Sequence, residues 1–434
     1  MEFEKTNQNL LKYMKESTSP FHVVLESEKR LKFAGFTELE LTHKWSLRNG
    51  GKYYVKVYGT TLFAFTIGKT LTEDFDYRIA AAHTDHPCFK IKPNAEMTDN
   101  NYLKINTDVY GGPIINTWLD RPLSIAGKVA LRSSNVFQPE VRYIDFKRPV
   151  LTIPNLAIHM NRDVNKGVEL NKQSDTIPVL GLMNDMLNKE NFFVEFLAKE
   201  LQVSVDDILD FDLYVYNAEE GQMVGMNEDL ISSPRLDNLT SCYALLESIM
   251  KETREEGINV IALFDNEEIG SKTKQGADSN ILSYVLEKIC TSLSFENAKN
   301  QDAILRSMFL SVDVAHAIHP NRMEKSDPTN KVKLNEGFVI KLNSNQKYAT
   351  DSEAIAIIQQ ICDKENIKYQ KYVNRSDIAG GGTLGSITSS WLPMKTVDIG
   401  VPMLAMHSAR ETMGSKDQAY LEALVSKFFS IQNN

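Results

Sequence analysis

Five short stretches of this chain run from apolar residues straight into a histidine or a carboxylate, and that pattern restricts the fold more than any other feature. RIAAA is followed by His83 and, two residues on, Asp85. NVIALF leads through a short turn to Glu267 and Glu268, and MFLSV ends on Asp313 with His316 and His319 just beyond. VPMLAM delivers His407, and the brief SSPRL meets Asp237. Apolar runs of this length, alternating with stretches of helical period, read as strands of a mainly parallel sheet covered on both faces. In such a sheet the C-terminal strand ends converge on one crevice. Residues more than three hundred positions apart are then expected at a single rim.

Helical spacing is predicted over residues 239–250, 281–290, 352–363 and 420–429, the last carrying Leu421, Leu424, Val425 and Phe428. A first helix presents Leu10, Leu11 and Met14, and strand patterns follow at 52–58 and 62–66. Between residues 94 and 232 the texture changes to short alternating strands, such as 127–131 and 212–216. These are separated by loops rich in Asn, Asp and Lys, with one helical piece at Phe192–Leu201. A chain of 434 residues suits two domains. The expected architecture is α/β: a mainly parallel-sheet domain from residues 1–93 plus 233–434, interrupted by a β-rich insert over 94–232.

The formal net charge of −9 argues against nucleic acid or an anionic membrane surface as the main partner. The N-terminal stretch mixes acidic and basic residues and has the character of neither a signal peptide nor a membrane span, so the cytoplasm is the expected location. Cys88, Cys242, Cys290 and Cys362 are scattered without a C-x-x-C pair, which suggests neither a disulfide framework nor a thiolate metal site.

Each ligand-type residue has an ordinary reading by itself. His83 and Asp85 could be a satisfied hydrogen-bonded pair, Glu267–Glu268 a helix start, Asp313 a cap, and His407 a buried histidine. Five strand ends tipped with oxygen or imidazole donors, and none with cysteine, instead suit a hard-to-borderline divalent cation. Two such ions need a bridging carboxylate plus a histidine and a carboxylate each. The chain can supply His83, Asp237 and Asp313 to one, and Asp237, Glu268 and His407 to the other. Glu267 is the candidate general base. Asp85, on the same side of an extended strand as His83, can fix the imidazole tautomer. Zinc is the first expectation, with cobalt and manganese open. The run Gly380-Gly-Gly-Thr-Leu-Gly385 matches a dinucleotide pattern only formally, since no hydrophobic strand precedes it, and it reads as a tight backbone approach.

The blocks HTDHPCFKIKP, YGGPIINTWLDRPL, IPNLAIHMNRDVN, SPRLDNL, FDNEEIGS, SVDVAHAIHPN, VIKLNSNQKYATD and VPMLAMHSARE occur in the order seen in M18 metallo-aminopeptidases. The chain resembles that family, with its aspartyl aminopeptidases, along nearly its whole length. The resemblance implies a phosphorylase/hydrolase-like peptidase domain and the same ligands and base as the chemical reading. It further implies that the insert is a dimerisation domain and that chains assemble as a tetrahedral dodecamer. In that assembly His159 would reach a neighbouring copy's active site, and Lys341 would meet an acidic substrate side chain. His316 is a candidate to help hold a developing oxyanion.

The function expected is removal of one residue at a time from peptide N-termini, with preference for Asp or Glu. Leu-type aminopeptidase activity, and carboxypeptidase or amidohydrolase activity on a related two-metal scaffold, stand as alternatives. A non-catalytic binding or assembly protein is the reading from another class, and the unbroken set of ligands and base argues against it.

Overall fold

The computed structural model describes residues 2–183 and 191–432. By packing, the chain forms two units: residues 1–85, 221–406 and 411–434 make the first, and residues 86–220 with 407–410 make the second. The sequence places the insert at 94–232, but its first strand, Cys88–Asp99, begins earlier, inside an apolar stretch that continues the preceding texture.

The first unit is built on a nine-stranded sheet among the described residues. Its centre is three parallel pairings: Ile258–Phe264 on Tyr77–His83, Tyr77–His83 on Met308–Val312, and Met308–Val312 on Lys395–Gly400. Antiparallel strands Thr61–Ile67 and Phe338–Leu342 flank them. The central strands are buried along almost their whole length, as sheets covered on both sides require. Successive residues divide between two cores. Ala80, Ala82, Ile261, Leu263, Leu310 and Val312 pack on one face, against the helices Leu236–Lys251, Ser352–Glu365 and Asp417–Ser430. Ile79, Ala81, Val260, Ala262 and Phe309 pack on the other, against Ile281–Ser292 and Asn297–Arg306. Helix Leu236–Lys251 is buried nearly all round, from Leu236 to Leu246 without a break, as a helix enclosed by the sheet and by other helices requires, and Tyr243 packs on Tyr13. Full burial of each of its leucine side chains is worth about 1.5–3 kcal/mol. Because both faces are occupied, only the strand ends are left to carry chemistry.

The second unit is different. Among the described residues its six strands run in the order Glu140–Asp145, Leu123–Leu131, Ile208–Asn217, Cys88–Asp99, Tyr102–Tyr110 and Val179–Leu182, with every pairing antiparallel. Burial alternates along Tyr102–Tyr110, the signature of a sheet with one face packed. Helix Phe192–Leu201 lies where its sequence predicts it, and Glu96 accepts from the backbone N–H groups of Phe193 and Val194 at its start. Among the described residues no helix is long and apolar enough to cross a membrane.

Candidate active site

His83 closes its strand directly opposite Phe264 of the neighbouring parallel strand. Beyond Phe264 the chain turns through Asn266, left-handed at φ 65°, and sets Glu267 and Glu268 at the same rim. Asp313 follows Met308–Val312, and Asp237 stands at the start of helix Leu236–Lys251, joined to Asn238 by a cis peptide bond. The strand ends do converge. His83 Nε2 lies 3.4 Å from Asp237 Oδ1, 3.6 Å from Asp313 Oδ1 and 3.9 Å from Glu267 Oε2. His83, Asp237 and Asp313 each offer a ligand atom within 4.8 Å of the others, and so do His83, Glu267 and Glu268.

Asp85 does two things at once. Its backbone carbonyl and Oδ1 lie 3.0 and 3.4 Å from His83 Nδ1, which leaves Nε2 aimed at the carboxylates. Its two carboxylate oxygens accept the backbone N–H groups of Glu267 and Glu268, both at 3.1 Å, so one buried carboxylate fixes the turn that presents the base.

The electrostatics are lopsided. Asp85, Asp237, Asp313, Glu267 and Glu268 bring five carboxylates, while Lys341 and the His83 imidazole are the basic groups among them. Burial, opposed by His83 and reinforced by Asp313, Asp85 and Asp237, pushes the Glu267 carboxyl up to about 8. Burial also acts to raise Asp313, but Lys341 and His83 outweigh it and hold that carboxyl below the usual range. Burial disfavours a charged His83 ring, yet Asp237, Asp313 and Asp85 overcome it and hold its proton well above the ordinary range. Unbalanced charge out of water costs on the order of several kcal/mol per ion. Divalent cations neutralise such a cluster, and its oxygen and imidazole donors are the types they take. The residues present therefore fit divalent metal. Cys242, whose Sγ donates to the His83 carbonyl at 2.9 Å, is no competitor as a ligand, because burial pushes its thiol up to about 12.

The sequence profile of the family described as aminopeptidase I zinc metalloprotease (M18) matches residues 13–429. The chain belongs to the M18 family. A protein named probable M18 family aminopeptidase 2 from Clostridium acetobutylicum is 46% identical over 432 residues, covering 99% of each chain. One of the same name from Ectopseudomonas mendocina is 39% identical over 429 residues and 98% of each. Among solved structures, one described as the complex of Ape4 and Nbr1 superposes with a TM-score of 0.95 at 32% identity, over 98% of this chain and 86% of that one. An mApe1 dodecamer from S. cerevisiae gives 0.84 at 26% identity, over 99% and 97%. This M18 chain is accordingly a metallo-aminopeptidase, a hydrolase of N-terminal peptide bonds, and its α/β architecture is that of the M18 enzymes.

The other sequence-singled residues lie as follows. Lys341 is buried, its Nζ 3.4 Å from Asp313 Oδ2, 3.1 Å from the Val314 carbonyl and 5.0 Å from the centre of the Tyr348 ring. His316 is exposed on the short strand Ala315–His316 and lines a cavity of about 290 Å³, together with His319, Lys325 and Arg375. His159 is exposed in the second unit. His407 opens the four-residue segment assigned to that unit, with Nδ1 3.0 Å from the Gly112 carbonyl. One participant escaped sequence reasoning: Glu411, whose Oε2 accepts the Asp237 backbone N–H at 3.0 Å. It ends the VPMLAMHSARE block, so its signal was in plain view but tied to no strand end.

Proposed function

We propose that this M18 enzyme is a binuclear aminopeptidase with preference for N-terminal Asp or Glu, working with Glu267 as general base. The observation that carries the reading is the His83–Asp237–Asp313 cluster with Glu267 beside it, 3.9 Å from His83 Nε2. His83, Asp237 and Asp313 hold one cation; Asp237, Glu268 and His407 hold the second. Zinc is the first choice, as in the family description, with cobalt or manganese able to use the same donors. When bound, the two ions supply Lewis acidity, which polarises the scissile carbonyl and makes a water acidic near neutrality. Glu267 accepts the proton of the attacking water and returns it to the departing amine. Asp85 keeps His83 in one tautomer and Glu267 in place. His316 helps to hold the developing oxyanion.

The acidic preference is supported by the cavity beside His316, to which Lys325 and Arg375 contribute cationic side chains against one carboxylate, Asp327. Lys341, paired with Asp313, is the proposed partner of the acidic substrate side chain. The second unit serves as the dimerisation domain of a homo-oligomer, a dodecamer like the S. cerevisiae mApe1 neighbour, in which His159 reaches the site of another copy. The cytoplasm is the proposed place of action.

The experiment is initial rates on Asp-, Glu- and Leu-terminal chromogenic substrates after metal removal and readdition of zinc, cobalt or manganese. Restored cleavage favouring Asp or Glu is expected. Restored cleavage favouring Leu keeps the metal site and overturns the acidic preference. Cleavage of N-terminally blocked peptides in place of free ones moves the enzyme to a carboxypeptidase-like role.

A further inference from the structure

Asp398 is fully buried and belongs to none of the strand ends that form the cluster. It sits inside strand Lys395–Gly400, in register with Ser311 on the parallel side and with Lys341 on the antiparallel side. Three separate segments meet its carboxylate. Oδ2 accepts the Ala349 backbone N–H at 2.6 Å, Oδ1 accepts the Thr383 hydroxyl, and the Ser311 hydroxyl also bonds to it. Its own backbone N–H donates to Thr350 Oγ1 at 2.9 Å. Gly385, at the start of helix Leu384–Trp391, presses so close that a Cβ there would lie 2.6 Å from Asp398 Oδ2. That is the tight approach the glycine run suggests.

Apolar side chains would have satisfied a central strand at this position, and a buried carboxylate costs several kcal/mol unless its acceptors are filled. Here they are filled by Thr383, by Ser311 and by the Ala349 N–H, the last on the very segment that carries Tyr348. Tyr348 lies over the Lys341 ammonium, and Lys341 bonds Asp313. We propose that Asp398 is a positioning residue for the aminopeptidase reaction: it pins the 347–351 segment so that Tyr348 confines Lys341 and Lys341 holds Asp313 at the rim. The proposal rests on the binuclear reading above, because Asp313 matters there as a ligand.

The variant Asp398→Asn keeps the volume but leaves a single acceptor oxygen, so the Ala349 N–H and the Thr383 and Ser311 hydroxyls can no longer all be accepted as they are by the carboxylate. Its kcat is expected to fall about tenfold with KM within about twofold, and amide exchange over residues 343–351 is expected to quicken. In a Tyr348→Ala background the same change should cost less than about twofold more, since both act through one chain of contacts. Wild-type kcat in Asp398→Asn, losses that multiply in the double variant, or unchanged exchange would each overturn the proposal. If Asp398→Asn does not fold, Thr383→Val removes a single donor and is held to the same three readouts. The exchange measurement needs no turnover, so an inactive wild type would count against the binuclear reading and leave the anchoring to be decided separately.

Discussion

The two larger of the three sheets among the described residues face opposite problems. The sheet of the first unit is covered on both faces, so its interior positions are committed to packing and its function is confined to strand ends. There His83, Glu267, Glu268 and Asp313 are delivered by chain geometry alone. The antiparallel sheet of the second unit packs one face and leaves side chains of the other, and of its connections, to solvent. Val136 and Phe137, between strands Leu123–Leu131 and Glu140–Asp145, are almost wholly exposed, and so is much of Leu156, Ile158 and Met160. Covering a sheet twice concentrates chemistry at an edge, whereas covering it once leaves area for contact with another surface. Apart from His407 and His159, to which the proposed function gives a part in the site, substitutions in the second unit should then register in assembly, and those at the strand ends of the first in turnover.

The sharpest break of that comparison is Glu267→Gln. The amide keeps the shape and the backbone bonds to Asp85 but cannot take a proton, so kcat is expected to drop by about 10²–10⁴-fold with metal content nearly unchanged. A variant with wild-type rate and full metal would remove Glu267 from the role of base. Lys341→Met comes next. It deletes the cation that holds Asp313 below the usual carboxylate range, so a loss of about 10- to 100-fold in kcat/KM is expected, together with weaker metal retention by dialysis. If only the Asp-over-Leu preference falls while metal retention is untouched, Lys341 acts on substrate rather than on Asp313.

How much of this was legible in the sequence follows the same division. The strand ends were readable because a doubly covered strand must be apolar throughout, so the polar residue that stops it stands out, as His83 and Asp313 do. Helix Phe192–Leu201 was readable from its own residues. The pairing of Lys341 with Asp313 was not, because it depends on strand Phe338–Leu342 entering the sheet antiparallel beside Lys395–Gly400, and nothing local encodes which neighbour a strand takes. Glu411 was missed for a similar reason: its contact with the Asp237 backbone bridges 174 positions. The helices Pro20–Phe33 and Asn297–Arg306 were passed over because polar residues dilute their apolar stripes.

Metal removal tests the chemical edge through stability. In the metal-free protein Glu267 is raised to about 8 from an ordinary value near 4.5, and His83 is raised well above 6.5. Both groups bind more protons folded than unfolded between those limits, so their contribution is present at low pH and lost as pH climbs through the folded values. Asp313, held low, works in the opposite sense only at acid pH. The thermal midpoint of metal-free protein should therefore decline between about pH 5 and pH 8. Zinc should raise the midpoint, since a ligand at 100 times its Kd adds about 2.7 kcal/mol, and lessen that slope to the share left by Asp417 and Glu422, which burial raises to about 7. An equally steep slope with and without zinc would mean that the cations do not sit among these carboxylates.

The smallest effect on the folded chain belongs to the second unit, and that is what makes it informative. Phe137 is 96% exposed, so Phe137→Ser removes almost no internal packing and should change stability by less than about 0.5 kcal/mol. If the exposed apolar tip is where copies meet, the same change takes apolar area out of an interface, where aromatic anchors dominate the binding energy. Light scattering should then show smaller species at micromolar concentration, with an unchanged unfolding profile for each chain. Unaltered mass would move the interface off this tip and leave the loop with Leu156, Ile158 and Met160 as the next surface to test. A fall in stability with unaltered mass would be the more damaging result, because it would mean that the tip packs within its own chain and that the contrast between a chemical edge and a contact surface is drawn in the wrong place.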